Sequence, residues 1–348
     1  MQLKTLAQLN FRNLRTQRLE FQGGIVAIRG ANASGKSNLL AAAYLGCTAT
    51  PAAGNLGELV RIGETEAYVA AEVEHDGGLG KVEVGLGAGH KSVKLDSQTV
   101  RALDVAKVMS AVLLTPDDSE LIHGPPAARR TFLDALLSKL SFRYGTMLRE
   151  YQRVVEQRNA LLRAAPQDPS LPIWSERFVS LGTALDELRE RAVTRLGDLA
   201  AEVYSEVAGS AERLSACLER RRGELDLAEA LERSRGEELA RGVTVVGPHR
   251  DDLRLTLAGK ALRSYGSRGE ARTAAMALRV AEYRMLEGKH GEPPVLLIDD
   301  FSAELDGSRR GYLLNLTATT PQALVSGTDA PPRFDQLFEV SDGVVSHA

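Results

Sequence analysis

The chain has 348 residues, of which 43% are hydrophobic and 26% are charged, values typical of a globular protein with a sizeable core. Its formal net charge is -3, which excludes a generally basic nucleic-acid-binding protein, so any DNA-binding surface must be local. Cys47 and Cys217 lie far apart, and no apolar run approaches the roughly 20 residues of a membrane span. Because we find no signal peptide either, the sequence predicts a protein of the reducing cytoplasm without a membrane partner.

The first part of the chain, up to about residue 120, predicts a strand-rich lobe around one early helix. The sequence GGIVAIRG is a short apolar strand that ends at glycine, and the helix KSNLLAAAYLG follows it closely. Short β-like runs come next, namely AYVAAEVEH, KVEVGLG and KSVKL, which are separated by glycine-rich turns. The run VMSAVLLTPDD predicts one more buried strand.

From about Pro125 to about Gly242, apolar residues recur at helical spacing, which predicts antiparallel helices forming an arm without a long coiled coil. After Gly242 the α/β pattern returns. TVVGPHRDDLRLTLAGK predicts a strand and a hairpin, SRGEARTAAMALRVAEYRMLEG a helix, PPVLLIDD a buried strand, SRRGYLLNL a helix and QALVSGT a strand. We therefore predict an α/β head with mixed sheets, formed by residues 1–124 and 242–348, that carries an inserted all-helical arm at 125–241.

The sequence GANASGKS, residues 30–37, matches the phosphate-loop pattern between an apolar strand and a helix, which is the context that the pattern requires. Its glycines let backbone N–H groups surround phosphate oxygens, Lys36 reaches the β- and γ-phosphates, and Ser37 is a ligand for Mg²⁺. A chance glycine turn is the alternative. The predicted ATP-binding residues here are Gly30, Asn32, Ala33, Ser34, Gly35, Lys36, Ser37 and Asn38.

The sequence VLLIDD, residues 295–300, places two carboxylates at the end of an apolar strand, where nucleotide sites of open α/β sheets lie. Asp299 is predicted to hold Mg²⁺, directly or through water, and Asp300 to polarise the attacking water. The alternative is a strand that runs into an acidic turn. Lys36 and Asp300 are the predicted catalytic residues.

The two motifs lie at opposite ends of the chain, an order that resembles the heads of ABC and SMC-type ATPases. The resemblance implies that SYGSRGE is a signature segment, whose Ser267 and Gly269 meet ATP bound to a second subunit. The alternative is a helix cap, with Ser267 and Glu270 forming a capping box. FSAELD resembles the D-loop of that class, and Thr328 in SGTD is a candidate γ-phosphate sensor, although a plain strand-end turn is the alternative there.

Several stretches occur in the order of the RecF family of bacterial recombination mediators: NFRNLR, GANASGKS, TPDDSELIHGPPAARRTFLD, VVGPHRDD, YGSRGEART and IDDFSAELD. The resemblance covers nearly the whole chain. Ala33-Ser34 departs from a glycine that is more usual in the family, and Arg268 replaces a more usual glutamine. The resemblance implies a weak ATPase of DNA replication, recombination, repair and the SOS response. It implies an ATP-bound homodimer with a composite site, which binds duplex DNA near single-strand gaps and loads RecA together with RecR and RecO.

DNA binding has partial support from the residues themselves. Residues 125–163 contain eight basic and three acidic side chains in a protein of net negative charge. Arg149 and Arg153 share a helix face, and a stripe of this kind neutralises phosphates without reading bases. The predicted DNA contacts are Arg129, Arg130, Arg149 and Arg153. A solvated helix face with internal ion pairs is the alternative.

Other functions and roles also remain open at this point. The chain could be the ATPase subunit of a transporter, a purely architectural SMC-like clamp, or an ATPase that serves a separate nuclease. His249 and Arg250 in GPHRDD lie either near the nucleotide or signature face or in a tight turn that Gly247 and Pro248 fix.

Overall fold

The computed structural model describes residues 1–52, 54–87, 89–210, 212–301 and 307–348. The strands in these ranges are β1 (Gln2–Leu9), β2 (Gln17–Glu20), β3 (Gly24–Arg29), β4 (Glu66–His75), β5 (Gly78–Gly87), β6 (His90–Leu95), β7 (Gln98–Thr99), β8 (Ala111–Leu114), β9 (Leu214–Glu219), β10 (Asp252–Leu257), β11 (Lys260–Ala261), β12 (Val295–Ile298), β13 (Gln322–Gly327), β14 (Gln336–Ser341) and β15 (Val344–His347).

The helices in the same ranges are α1 (Lys36–Thr48), α2 (Ala102–Val105), α3 (Glu120–His123), α4 (Pro126–Leu140), α5 (Phe142–Ala164), α6 (Leu171–Ala208), α7 (Leu227–Arg233), α8 (Arg235–Arg241), α9 (Leu262–Tyr265), α10 (Arg268–His290) and α11 (Gly307–Thr319). Among the described residues, no helix combines the length and the apolar character that crossing a membrane requires.

A six-stranded sheet of order β15-β14-β3-β13-β12-β8 collects the most apolar strands of the chain. Strands β14, β3, β13, β12 and β8 run parallel, whereas β15 pairs antiparallel with β14. Every residue of β8, β12 and β13 is buried. Continuous apolar runs such as AVLL and VLLI form such strands because both faces of a parallel sheet are covered.

A second six-stranded sheet, of order β2-β1-β4-β5-β6-β7, is antiparallel. Helix α1 packs against β1 and β4 of this sheet and against β12 and β13 of the parallel sheet. A Cβ on Gly46 of α1 would lie 2.6 Å from the Cβ of Ala71 in β4, so glycine permits the close approach of helix and strand. The predicted strand-rich lobe around one early helix is confirmed.

The chain divides by its contacts into two compact units. Unit 1 comprises Met1–Asp118, Glu206–Ser210 and Arg279–Ala348, and unit 2 comprises Ser119–Ser205 and Ala211–Leu278. Unit 1 contains both six-stranded sheets, and unit 2 contains most of the helices together with the small sheet β11-β10-β9. This division assigns residues 242–278 to unit 2. The domain bounds that the sequence suggested, 1–124 with 242–348 and 125–241, stay a prediction.

The insertion is mainly helical, as predicted, but it contributes β9, which pairs antiparallel with β10. Ser141 separates α4 from α5 because its backbone is extended, and its Oγ accepts a hydrogen bond from the N–H of Tyr144 at 3.2 Å. Of the strand and hairpin predicted over TVVGPHRDDLRLTLAGK, the hairpin is present, since β10 pairs antiparallel with β11, but residues 244–251 form no strand and regular strand begins at Asp252. Gly247 has a φ of 110°, a left-handed backbone that interrupts an extended strand.

Candidate nucleotide-binding site

The parallel sheet brings the two predicted phosphate-binding motifs to one edge. Strand β13 lies between β3 and β12, with Gly327 opposite Arg29 and Val325 opposite Ile298. Because these strands are parallel, their carboxyl ends share an edge, from which the phosphate loop continues after β3 and Asp299 after β12. This edge is where open α/β sheets bind nucleotides.

The phosphate loop, residues 30–37, turns tightly into α1. Gly35 is the N-cap of α1 with a φ of 118°, which favours glycine. A Cβ on Gly30 would lie 2.4 Å from the carbonyl oxygen of Val340, so this position also needs glycine. Ala33 has a φ of 63°, and a left-handed backbone costs an alanine about 1–2 kcal/mol. Ala33 is therefore strained, and a glycine at this position would remove the strain.

Two buried polar groups of the loop fit a polyphosphate. The Nζ of Lys36 donates hydrogen bonds to the carbonyl oxygens of Gly30 and Ala31, both at 2.8 Å. The Oγ of Ser34 is buried and has no hydrogen-bond partner among the described residues. Lys36 can exchange carbonyl oxygens for phosphate oxygens, and the Ser34 hydroxyl gains an acceptor when phosphate binds. The amino end of α1 adds backbone N–H groups and its dipole.

Asn38, the last of the predicted ATP-binding residues, lies in the first turn of α1 just after the loop and is held by residues from another turn. Its Oδ1 accepts a hydrogen bond from Nη1 of Arg12 at 2.9 Å, and its Nδ2 donates to Oδ1 of Asn13 at 2.7 Å. The N–H of Gly343 donates to the carbonyl oxygen of Ser34 at 2.9 Å. Turns from both ends of the chain thus brace the loop. The pattern NFRNLR is a feature of the family resemblance, and the sequence alone predicted no role for Arg12 or Asn13.

The acidic pair after β12 is organised by a serine of β13 that no sequence pattern indicated. Ser326, on β13 and 1% exposed, donates from Oγ to Oδ1 of Asp299 at 2.6 Å. The same Oγ accepts a hydrogen bond from the N–H of Asp300 at 3.0 Å. Asp300 has a φ of 53°. Ser326 therefore fixes the orientation of the predicted metal-binding carboxylate and the turn that carries the predicted catalytic one.

Thr328, the predicted γ-phosphate sensor, lies two residues beyond this serine. It is exposed, and its Oγ1 lies 3.5 Å from Oδ2 of Asp329. It therefore stands at the same sheet edge as Asp299, and its role stays a prediction. In the FSAELD segment, which resembles a D-loop, residues Ser302 to Asp306 lie outside the part of the chain that the structure describes.

A partly buried arginine attaches α10 to the same sheet edge in unit 1. Nε and Nη2 of Arg279 donate to Oδ1 of Asp118 at 2.9 and 2.7 Å, and Nη1 donates to Glu282 at 2.9 Å. Asp118 follows β8, and its Oδ2 accepts from the N–H of Thr115 at 2.8 Å. Burial would lower the pKa of Arg279, but the two carboxylates raise it above its ordinary value, so the guanidinium stays charged. None of these residues was predicted from the sequence as part of a site.

The predicted signature segment forms the amino end of α10 in unit 2. The N–H of Ser267 donates to Oε2 of Glu270 at 2.7 Å, and the N–H of Glu270 donates to Oγ of Ser267 at 3.2 Å, so a capping box is present. Gly269 is exposed, and the nearest atom to a Cβ placed on it would be Oγ of Ser267 at 3.9 Å. The helix end is therefore open to an incoming group, and its role towards a second subunit stays a prediction.

The four predicted DNA-contacting arginines differ in exposure. Arg129 is 4% exposed, and its guanidinium donates two hydrogen bonds of 2.8 Å to the carboxylate of Asp252, so we withdraw it as a phosphate contact. Arg130 is partly exposed, whereas Arg149 and Arg153 are exposed on α5. The prediction for Arg129 is wrong because its ion pair with Asp252 joins α4 to β10, and no local sequence pattern indicates this distant partner.

Comparison with known proteins decides the family. The family model described as "RecF/RecN/SMC N terminal domain" matches residues 2–331. The "DNA replication and repair protein RecF" of Deinococcus deserti is 49% identical over 332 residues, covering 95% of this chain and 91% of that protein. Its counterpart in Deinococcus radiodurans is 47% identical and covers 95% and 92%. The chain belongs to the RecF family.

Solved structures agree with this assignment. A RecF–ATP structure, described as a recombination mediator in the RecFOR pathway, matches with a TM-score of 0.93 at 31% identity, covering 99% of this chain and 97% of that one. An SMC head from Pyrococcus furiosus matches with a TM-score of 0.54 at 19% identity, with coverage of 99% and 95%, which shows a shared fold. The predicted ATPase-head fold with its helical insertion is therefore confirmed, and the family is one of ATPases that bind ATP.

Proposed function

We propose that this protein is an ATP-dependent DNA-binding protein of recombinational repair, active in the cytoplasm. The observation that supports this most is the phosphate loop and Asp299 at one sheet edge, in a chain that matches RecF–ATP over 99% of its length. In this proposal an ATP-bound homodimer binds duplex DNA near single-strand gaps and helps to load RecA together with RecR and RecO. Weak ATP hydrolysis then resets the dimer.

Each site residue has a distinct role in this mechanism. Lys36 leaves the carbonyl oxygens of Gly30 and Ala31 and binds the β- and γ-phosphates. Ser37 and Asp299 would hold Mg²⁺, which neutralises charge on the phosphate oxygens. Asp300 orients the attacking water.

The second protomer completes the site. Ser267 and Gly269 of that protomer bind the γ-phosphate with the amino end of α10, so ATP joins the two protomers. Neither a transporter subunit nor a nuclease partner has a specific observation in its favour, and we do not pursue these alternatives.

Duplex DNA binding, measured with and without Mg·ATP at moderate salt, tests the proposed function. We expect the wild-type protein to bind duplex DNA more tightly with Mg·ATP, and Lys36→Arg to lose that increase because its phosphate contacts are misplaced. Arg233→Gln, which removes an exposed guanidinium paired with Glu229, is the matched control and should behave as wild type. Absence of DNA binding in both nucleotide states would refute the proposal.

A further inference from the structure

A cleft of about 410 Å³ opens on the surface of unit 2 between α5 and α6. Its volume falls within the roughly 300–1,000 Å³ that is usual for sites of small organic ligands. We call it the Trp174 cleft, and it is lined by Glu150, Arg153, Val154, Ile173, Trp174 and Arg177. Both stretches of helix belong to the same compact unit.

Helical spacing and one ion pair shape the cleft. The lining side chains of α5 stand three and four positions after Glu150, and those of α6 stand three and four positions before Arg177, so each set shares one helix face. The guanidinium of Arg177 donates to the carboxylate of Glu150 from one helix to the other. Val154 is 2% exposed and closes the bottom of the cleft.

The aromatic ring of the cleft is uncovered. Trp174 is the only tryptophan of the chain and is partly exposed. Within the described ranges its ring stacks on no other aromatic ring and on no guanidinium, and its indole N–H donates to no protein acceptor. Its neighbour Ile173 is 65% exposed. The cleft therefore presents a flat aromatic surface beside an exposed aliphatic side chain.

One positive charge at the cleft is not neutralised. Arg177 and Glu150 compensate each other, whereas Arg153 is exposed and its guanidinium forms no ion pair or side-chain hydrogen bond in the part of the chain that the structure describes. Arg149, one helical turn before Arg153 on α5, is exposed as well and adds positive charge. An anionic group is therefore attracted to this side of the cleft.

We propose that the Trp174 cleft binds one unpaired nucleotide of single-stranded DNA, with the base stacked on Trp174 and a phosphate bound by Arg153. This inference rests on the proposed DNA-binding function and deepens it, because it identifies residues that recognise the single-strand gap. It also assigns the predicted contact Arg153 to the unpaired strand.

The chemistry of a nucleotide matches both features of the cleft. A nucleotide carries a planar ring and an anion in one unit, whereas a protein partner would have to place an apolar side chain and a carboxylate at the same spacing. Every base has a π-face that stacks on an aromatic side chain, so the cleft accepts any sequence. A base inside an intact duplex is stacked between its neighbours and does not reach the Trp174 ring.

Emission of the sole tryptophan tests the inference directly. We would titrate wild type in Mg·ATP with an intact duplex, the same duplex with a short single-strand gap, and a gapped duplex whose gap nucleotides lack their bases. Because a stacked base quenches indole emission, we expect quenching by the normal gapped duplex alone. Equal quenching by the baseless gap or by the intact duplex would overturn the inference.

Substitutions separate the ring from the charge. Trp174→Leu should weaken binding to the gapped duplex at least about fivefold and leave the intact duplex unaffected, and Trp174→Phe should retain part of the preference. Arg153→Gln should lower the slope of log K against log salt by about 0.7 on gapped DNA only. Arg233→Gln is again the control and should keep both wild-type values.

Other results would overturn the inference in distinguishable ways. If wild type binds the gapped duplex without a change in emission, the cleft site is wrong while the proposed function stands. If Mg·ATP without DNA already gives the full change, a second copy of this chain covers Trp174. If wild type and Trp174→Leu prefer the gapped duplex equally, the ring does not recognise the gap. A wild-type protein that binds none of the DNAs would refute the proposed function and the cleft site together.

Discussion

At the scale of single residues, the positions of Asp299 and Asp300 depend on one neutral partner, Ser326. Ser326 bonds both to the side chain of Asp299 and to the backbone of Asp300. If Asp299 binds Mg²⁺ as proposed, this hydroxyl orients a metal ligand, and loss of such a partner typically costs 10- to 100-fold in metal affinity.

We therefore expect Ser326→Ala to raise the Mg²⁺ concentration needed for half-maximal ATPase activity about tenfold. ATP hydrolysis measured across a Mg²⁺ titration checks this. Thr328→Val is the comparison. If Thr328 senses the γ-phosphate, this substitution lowers the rate of ATP hydrolysis at saturating Mg²⁺ and leaves the Mg²⁺ requirement unchanged. An unchanged Mg²⁺ requirement in Ser326→Ala would show that Asp299 is not a metal ligand.

His249 makes the stability of the protein depend on pH. Burial lowers its pKa to about 4, with Arg250, Arg130 and Arg189 acting in the same direction, while a hydrogen bond from the ring to Thr244 opposes the shift. The unfolded chain takes up this proton near pH 6.5 and the folded chain only near pH 4, so stability is lost as pH falls through this window. The full effect is at most about 3 kcal/mol.

Asp251 opposes this trend, because burial raises its pKa to about 6, so its folded form gains relative stability as pH falls from about 6 towards 4. Burial also lowers the pKa of His290, to about 4. We therefore compare wild type with His249→Gln, since Asp251 and His290 contribute to the pH dependence of both proteins. Urea unfolding at pH 7.5, 6 and 5 should show a smaller loss of stability in His249→Gln. If the free energy of unfolding falls with pH by the same amount in the two proteins, the pKa of His249 does not differ between the folded and the unfolded chain.

At the scale of secondary-structure elements, buried ion pairs hold the helices of unit 2 together. Arg158 of α5 is 1% exposed, and its guanidinium donates to both oxygens of Glu238 in α8 at 2.9 and 2.6 Å. It also bonds to Thr244 and Ser175. Removal of one member leaves a buried charge without its partner.

We expect Arg158→Ala to lower the free energy of unfolding by about 3–5 kcal/mol, as for other broken buried pairs. Chemical denaturation followed by circular dichroism measures this. Arg177→Ala, which breaks an exposed pair with Glu150, should cost less than about 1 kcal/mol. The double variant Arg158→Met with Glu238→Leu should recover much of the loss, and a double variant as unstable as Arg158→Ala would argue against charge burial as the cause.

At the scale of the whole molecule, the proposed mechanism requires two protomers, because the signature end of α10 acts on nucleotide bound elsewhere. Ser267 is exposed at this end, so a larger side chain has room to extend and obstructs an approaching protomer, although the substitution also removes the capping hydrogen bond from the N–H of Glu270. In the proposed mechanism Asp300 acts after pairing, when hydrolysis separates the protomers.

Light scattering with Mg·ATP should therefore show dimers for wild type, monomers for Ser267→Arg and long-lived dimers for Asp300→Asn. Nucleotide binding by Ser267→Arg should remain. Ser180→Arg, at an exposed position on α6, is the control and should dimerise. A monomeric Ser267→Arg with normal ATP hydrolysis would remove the need for a second protomer, and rapid dissociation of the Asp300→Asn dimer would remove Asp300 as the hydrolytic carboxylate.

The sequence by itself determined the features that depend on local pattern. The phosphate loop needs glycines at fixed spacing before a helix, and β12 needs a continuous apolar run, so both motifs and their strands could be predicted. The helical insertion follows from apolar residues at helical spacing. Together with the resemblance to ABC and SMC-type ATPase heads, these patterns predicted the ATPase-head fold, and the roles of the site residues stay predictions.

The tertiary structure alone decided which side chains meet across long stretches of chain. Ser326 reaches Asp299 because β13 lies beside β12, and Arg12 reaches Asn38 because a turn from the first strands packs on the phosphate loop. Arg129 and Arg130 are chemically identical neighbours, yet Arg129 is buried against Asp252 while Arg130 keeps exposed surface. Burial and pairing of this kind depend on residues distant in sequence, so a local pattern cannot specify them.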